Sequence, residues 1–349
     1  MNDSDETISF SDALTALQDV SAPFPVRYLR SFSDLSPVNL KNLMRLWPSI
    51  PIERKVGLLE DLESVMEKDT LVNFDNLART LLADAEPAVR TPALRLLWEC
   101  EEQTIIPNLI EISVKDEDET ARATAISLLG KFILLGELDA LKDSTKELLT
   151  GHLVNILLGS EKSLVKQRAL ESLGYSSHPD VPELIRNAFQ SNDTRWITAA
   201  LCAMGRSADE TWAPQVETML TSPEPEIQFE AIRAAGELEL SSAREQLLSL
   251  LEEETEDDEI RLALIWSLSQ IGGEEVKEKL DELLKNPFSD DEAEWIEKAM
   301  ENLDISSSGD LNLLDFSPEN EEDGDDEVSF DEFELDDFDD EDDEEDEDQ

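Results

Sequence analysis

A helix-length segment recurs at nearly constant spacing through the body of this chain, and that recurrence limits the fold more than any single residue does. The copies are AVRTPALRLLW (88–98), TARATAISLLG (120–130), LVKQRALESLG (164–174), RWITAALCAMG (195–205), EIQFEAIRAAG (226–236) and EIRLALIWSLS (259–269). Aligned on the anchors Ala93, Ala125, Ala169, Ala200, Ala231 and Leu264, they follow one another at 32, 44, 31, 31 and 33 residues. Such an interval holds two helices and a turn. Each copy is therefore one half of a hairpin that cannot bury its apolar face alone and must stack on its neighbours. Companion helices fill the gaps: IIPNLIEIS (105–113), DVPELIRNAF (180–189), WAPQVETML (212–220), AREQLLSLL (243–251) and VKEKLDELL (276–284). Three of them carry proline near the start, where a missing amide donor costs little.

Two weaker copies extend the array. IERKVGLLEDL (52–62) pairs with PVNLKNLMRLW (37–47), and AEWIEKAMENL (293–303) closes the far end, giving about eight hairpins. The expectation is an all-α protein: an α-α superhelix over 36–303, an N-terminal cap and preface over 1–35, partly disordered, and a disordered acidic tail over 304–349. The preface SAPFPVRYLRSF (21–32) follows a helix near Ser11–Val20. The 44-residue interval predicts an insertion near Leu135–Thr145, emerging as a loop between adjacent units. Scarce glycine (12 residues) and 6% aromatics agree with helices packed in layers rather than a β-sandwich.

Charge restricts the partners. The formal net charge is -56. Residues 304–349 hold 25 Asp and Glu and no Lys or Arg, which leaves 59 acidic against 28 basic residues in 1–303 (84 − 25 = 59). Phosphate backbones and anionic membranes are repelled by both parts, so nucleic acid and membrane are excluded as direct ligands, and basic proteins are favoured. No apolar stretch approaches a membrane span, and MNDSDETISF lacks the features of a signal peptide. Two distant cysteines, Cys100 and Cys202, fit a reducing compartment; the expected location is the cytoplasm and the expected state a monomer.

The interior of the repeat selects a family. No copy shows the ankyrin Thr-Pro-Leu-His box or the tetratricopeptide pattern, whereas the Val-Arg-x-x-Ala-x-x-x-Leu opening ending in Gly130, Gly174, Gly205 and Gly236 resembles the short HEAT repeats of bacterial proteins. The resemblance implies an Asp six residues before the Arg, the pairs forming a ladder along the array. Asp84 with Arg90 and Asp116 with Arg122 have that spacing; Lys166 keeps only the cation, Ile197 and Gln228 have lost it, and Arg261 faces Thr255.

No catalytic constellation accompanies the repeats. His152 and His178 are the only histidines, and neither lies at ligand or triad spacing from a Cys, Ser or carboxylate. Gly-rich phosphate loops, His-Glu-x-x-His and Cys-x-x-Cys pairs are absent, and the run around Asp323–Glu327 lacks the full calcium loop, so no cofactor or metal is expected.

Binding surface is what remains. Positions two before and two after each anchor fall four residues apart and share a face. That face runs from Thr91/Arg95 through Gln167/Glu171 to Thr198/Cys202, Phe229/Arg233 and Leu262/Trp266. The candidate partner-binding residues are Arg95, Glu171, Cys202, Phe229, Arg233 and Trp266, with an apolar groove expected around Cys202, Phe229 and Trp266. In the tail, Phe316, Phe330, Phe333, Leu335 and Phe338 are interleaved with carboxylates as in acidic-hydrophobic docking segments. These features predict a non-enzymatic protein-interaction scaffold whose tail recruits basic partners or shields the groove, or a polyanionic chaperone for basic proteins. The repeat grammar also resembles that of phycobilin lyases, which implies handling of a tetrapyrrole chromophore.

Overall fold

The computed structural model describes residues 9–252, 257–285 and 287–307, and among them it contains seventeen α-helices and no strand. All lie within one compact unit, Met1–Ser307. The acidic segment beyond it, including Phe316, Phe330, Phe333, Leu335 and Phe338, lies outside the described residues.

After α1 (Phe10–Gln18), the helices pair as eight hairpins: α2 (Pro37–Leu46) with α3 (Ile52–Met66), α4 (Asp75–Leu81) with α5 (Pro87–Arg95), α6 (Ile106–Lys115) with α7 (Glu119–Glu137), α8 (Asp143–Leu158) with α9 (Ser163–Leu173), α10 (Val181–Phe189) with α11 (Thr194–Arg206), α12 (Ala213–Met219) with α13 (Pro225–Glu237), α14 (Arg244–Glu252) with α15 (Asp258–Ile271), and α16 (Glu274–Leu284) with α17 (Asp290–Ser307). The second helix of each hairpin packs on the second helix of the next, so α3, α5, α7, α9, α11, α13, α15 and α17 form one continuous row. The anchors Ala93, Ala125, Ala169, Ala200 and Ala231 are fully buried and Leu264 is 1% exposed, so the position faces the core whether it carries a methyl or a longer apolar side chain.

Local chemistry sets the starts. Asp118 accepts from the Ala121 amide at 3.1 Å, and Asp257 from the Glu259 and Ile260 amides at 3.0 and 3.2 Å, each occupying donors that the first turn leaves free. Proline occupies the first turn of α2, α5, α6, α10, α12 and α13. The open end of the array is covered by an aromatic cluster. Phe32, in a 3-10 segment at Val26–Phe32, meets Phe10 at 5.4 Å and Phe24 at 5.9 Å between ring centres. Arg54 of α3 ties down the preface by donating to the carbonyls of Asp19 and Ala22.

Three expectations need correction. The long interval is not a loop insertion: α7 continues to Glu137, only residues 138–142 connect it to α8, and α8 is itself 16 residues long. The extra residues are helical because LLGKFILLGE prolongs the apolar face of α7, burying Phe132 and Ile133. The copy at 88–98 is helical only to Arg95; Leu96–Glu99 form a turn, downstream of Pro92, which has no amide to donate within α5. The last helix continues past 303 to Ser307.

The cation positions of the repeat reach between units. Arg90 donates through Nη1 to the Asp84 carbonyl of its own hairpin at 2.9 Å, and through Nε and Nη2 to the Asp116 carboxylate of the next at 2.7 and 2.6 Å. Arg122 repeats the pattern, with the Asp116 carbonyl at 2.7 Å and Glu161 of the following hairpin at 3.3 Å. The Asp84 carboxylate takes the Trp47 indole at 2.6 Å and faces Lys55 at 3.6 Å. Near the far end Arg261 engages Glu292 of the last hairpin at 2.8 Å, and Thr255 lies outside the described residues.

Candidate functional site

The second-helix row is built on close approach. A Cβ on Gly174 would stand 2.7 Å from Ala203 Cα, and one on Gly236 would stand 2.7 Å from Ser267 Cα. Glycine at the end of one second helix thus admits the backbone of the next. Trp98 occupies the same register as Gly130, Gly174, Gly205 and Gly236, five residues after its anchor. An indole cannot enter a gap sized for hydrogen. The helix ends early instead, and Trp98 is carried out on the Leu96–Glu99 turn, 46% exposed, its carbonyl accepting from Lys131 Nζ of α7 at 2.7 Å.

A cleft of about 440 Å³ opens beside it, walled by α3, α5, α7 and α9. Met66, Ala123, Leu164 and the Trp98 ring give it an apolar lining, and Thr120, Thr124 and Ser127 contribute hydroxyls. Arg95 crosses it to Glu63, with Nε 2.7 and 2.9 Å from the two carboxylate oxygens. Arg168, at the other end, is paired with Glu171 at 2.5 Å. Glu67 and Glu99 also line the cleft; both are exposed, and neither joins an ion pair among the described residues.

Of the six residues that the sequence singles out for binding, Arg95 alone lines this cleft. Glu171 and Cys202 are buried, 8% and 6% exposed, and Arg233 lies beside them in a polar seam across α9, α11 and α13. There Arg233 meets Glu237 at 2.9 Å and Glu230 at 3.6 Å, while the Arg206 guanidinium lies 5.0 Å from the Tyr175 ring centre. Burial pushes the Glu230 and Glu237 carboxyls up despite the nearby arginines. Burial also raises the Cys202 thiol well above its usual value, Arg206 offsetting this only partly. The surface near Cys202 is thus polar rather than the expected apolar groove. The close spacing of the row overlaps long charged side chains from neighbouring helices above the thiol. Phe229 is half-buried against the core, and Trp266 is half-buried on α15.

The histidines take structural positions. His152 shares a 2.8 Å hydrogen bond with Ser113 Oγ, and burial lowers its pKa; His178 is exposed in the turn before α10 and accepts from the Asp180 amide at 3.3 Å. Among the described residues no group of His, Cys, Asp and Glu could hold a metal ion, and no helix is long and apolar enough to cross a membrane.

Residues 213–301, spanning α12 to α17, match the family model of HEAT repeats. This stretch of the chain is built of HEAT repeats. Its repeats are similar in shape to several solved structures. One is the complex of CpcE and CpcF of phycocyanin lyase from Nostoc sp. PCC7120, at 20% identity and a TM-score of 0.44, covering 66% of this chain and 94% of that one. Human deoxyhypusine hydroxylase is 16% identical with a TM-score of 0.33, covering 75% and 95%. A mutant of Kap121p is 14% identical with a TM-score of 0.42, covering 91% of this chain and 41% of its own. At these identities no activity carries over. No curated protein matches the sequence.

Proposed function

We propose that this protein is a non-enzymatic scaffold that grips a protein partner along its second-helix row. One observation carries the reading: α5 ends before Trp98, beside a cleft that spans four successive units and presents a large exposed aromatic beside uncompensated charge. Aromatic anchors in partly apolar clefts are where binding energy concentrates in protein interfaces. The acidic segment beyond Ser307, with Phe316, Phe330, Phe333, Leu335 and Phe338, recruits basic partners by long-range attraction. Buried, unpaired Cys100 and Cys202 suit a reducing cytoplasm.

Affinity capture with residues 1–307 and with the full chain, at low and high salt, tests this reading. A partner retained by 1–307 at high salt and lost on Trp98→Ala supports the scaffold. Partners that need the acidic segment and vanish in salt would replace it with the polyanionic chaperone.

A further inference from the structure

The cleft constrains what can enter it, and this inference rests on the scaffold reading above. Its two internal arginines are already neutralised, Arg95 by Glu63 and Arg168 by Glu171. The charges left over are Glu67, just past α3, and Glu99, adjacent to Trp98, both exposed. An anionic segment would meet these carboxylates, and the acidic end of this same chain would be repelled with it. A wholly apolar segment would leave them desolvated without a partner, at a penalty that disfavours it. A cationic side chain satisfies every group present. Its aliphatic stem runs along Met66 and Leu164, its charge lies over the indole face of Trp98, and its N–H donors reach Glu67 or Glu99.

We infer that the Trp98 cleft is a docking site for a lysine- or arginine-bearing segment of a partner protein, with Trp98 as the stacking platform and Glu67 and Glu99 as the counter-charges. Thr120, Thr124 and Ser127 of α7 line the same space; the Thr124 and Ser127 hydroxyls donate to the Thr120 and Ala123 carbonyls and keep lone pairs that can accept from the amides of an extended segment. Trp98 stands where four other copies have glycine, so the site is specific to this part of the array.

The test uses the full chain and two fluorescein-labelled octapeptides, one of alternating alanine and arginine, the other of alternating alanine and glutamate. Anisotropy is read at physiological salt and at roughly 0.5 M, where diffuse attraction to the acidic segment is screened. The variants are Trp98→Ala, which keeps the net charge, the double variant Glu67→Gln/Glu99→Gln, and a control of equal charge change, Glu183→Gln/Glu245→Gln, on exposed positions of α10 and α14. The expected result is that the arginine peptide binds about tenfold more weakly to the first two variants and as well as before to the control. Unchanged affinity in both cleft variants, or Trp98-dependent binding of the glutamate peptide instead, would overturn the assignment. Should the variants keep the arginine peptide yet lose a lysate partner of the parent chain, the cationic occupant is refuted while the scaffold stands. Trp98 is exposed enough that its removal leaves folding intact, checked by circular dichroism.

Discussion

Gly174 lies so close to Ala203 that a Cβ on it would stand 2.7 Å from both the alanine Cα and its carbonyl oxygen. Neither atom can swing aside, since both belong to the α11 backbone. The contact ties the end of α9 to α11, and equivalent contacts recur from Gly130 to Ser172 and from Gly236 to Ser267. Gly174→Ala should therefore force α9 and α11 apart and destabilise the array by about 1–3 kcal/mol. Gly151→Ala is the contrast. Gly151 lies inside α8 with nothing within 4 Å of its notional Cβ, so alanine should stabilise by roughly 0.5–1 kcal/mol through helix propensity. Chemical denaturation of the two variants checks both signs; equal effects would mean that spacing is not what the motif glycine provides.

The Arg90–Asp116 pair spans two hairpins and is buried at both ends, with 11% and 4% of the side chains exposed. Arg90→Ala would leave Asp116 charged with only the Asp118 amide and more distant Arg122 to balance it, so a loss of about 3–5 kcal/mol is expected, whereas breaking the exposed pair of Lys298 with Glu294 should leave stability nearly unchanged. Burial would raise the Asp116 carboxyl, but the Arg90 hydrogen bond and the other favourable contacts outweigh it and hold the group below its usual range. A carboxyl lowered in the folded state contributes stability above its unfolded pKa and loses it as pH falls through the folded value. The parent should lose stability on strong acidification through that range. Arg90→Ala should lack this share of the loss.

Glu230 has the opposite sign. Burial raises its carboxyl, Arg233 opposing, and one of its carboxylate oxygens has no hydrogen-bond partner. A raised carboxyl favours the proton in the folded state, so its contribution is fully present below the unfolded glutamate range and is lost as pH rises through the folded pKa. Glu230→Gln should thus be as stable as the parent below the unfolded glutamate range and more stable once pH has risen through the folded pKa. Stability curves for parent and variant that run parallel across this interval would show that Glu230 does not titrate there.

What could be read in advance divides along physical lines. Periodicity exposes which residues meet inside a hairpin: Ala93, Ala125, Ala169, Ala200 and Ala231 are spaced by the fold's own repeat, and each is buried as expected. Partners across units were harder. The Asp six residues before Arg90 is real in spacing, yet the guanidinium takes only the Asp84 carbonyl and gives its carboxylate contact to Asp116, because the next hairpin's turn stacks directly over it. Among the candidate binding residues Arg95 lines the Trp98 cleft, and Trp98 is not one of them because helix-face spacing takes each copy as helical to its end. The signal was nevertheless present in the alignment: Trp98 stands where four other copies have glycine. A side chain that cannot fit the register must break it, and the cleft lies beside the break. Around the Cys202 thiol lie Arg206, Glu230 and Glu237, and the two carboxylates are charges that the helix face of α11 alone does not reveal.

Cys202 reports on how the row opens. Its thiol is 6% exposed and raised well above the usual range by burial, so in the closed array it offers neither access nor thiolate to an alkylating reagent. Labelling must wait for α11 to part from α9 or α13, whose Glu171 and Glu230 lie around the thiol, and its rate then follows the free energy of that local opening, each 1.4 kcal/mol being about tenfold. Gly174→Ala weakens the α9–α11 contact alone. If the row opens as a cooperative block, this variant should label Cys202 roughly ten- to a hundredfold faster than the parent, in step with its loss of global stability. If each contact opens separately, Cys202 should accelerate while Cys100, 3% exposed and three hairpins earlier after α5, stays protected. Pulse alkylation read by peptide mass spectrometry resolves the two thiols. Labelling of Cys202 in the parent at the rate of a free thiol would show that the polar seam does not close over it at all.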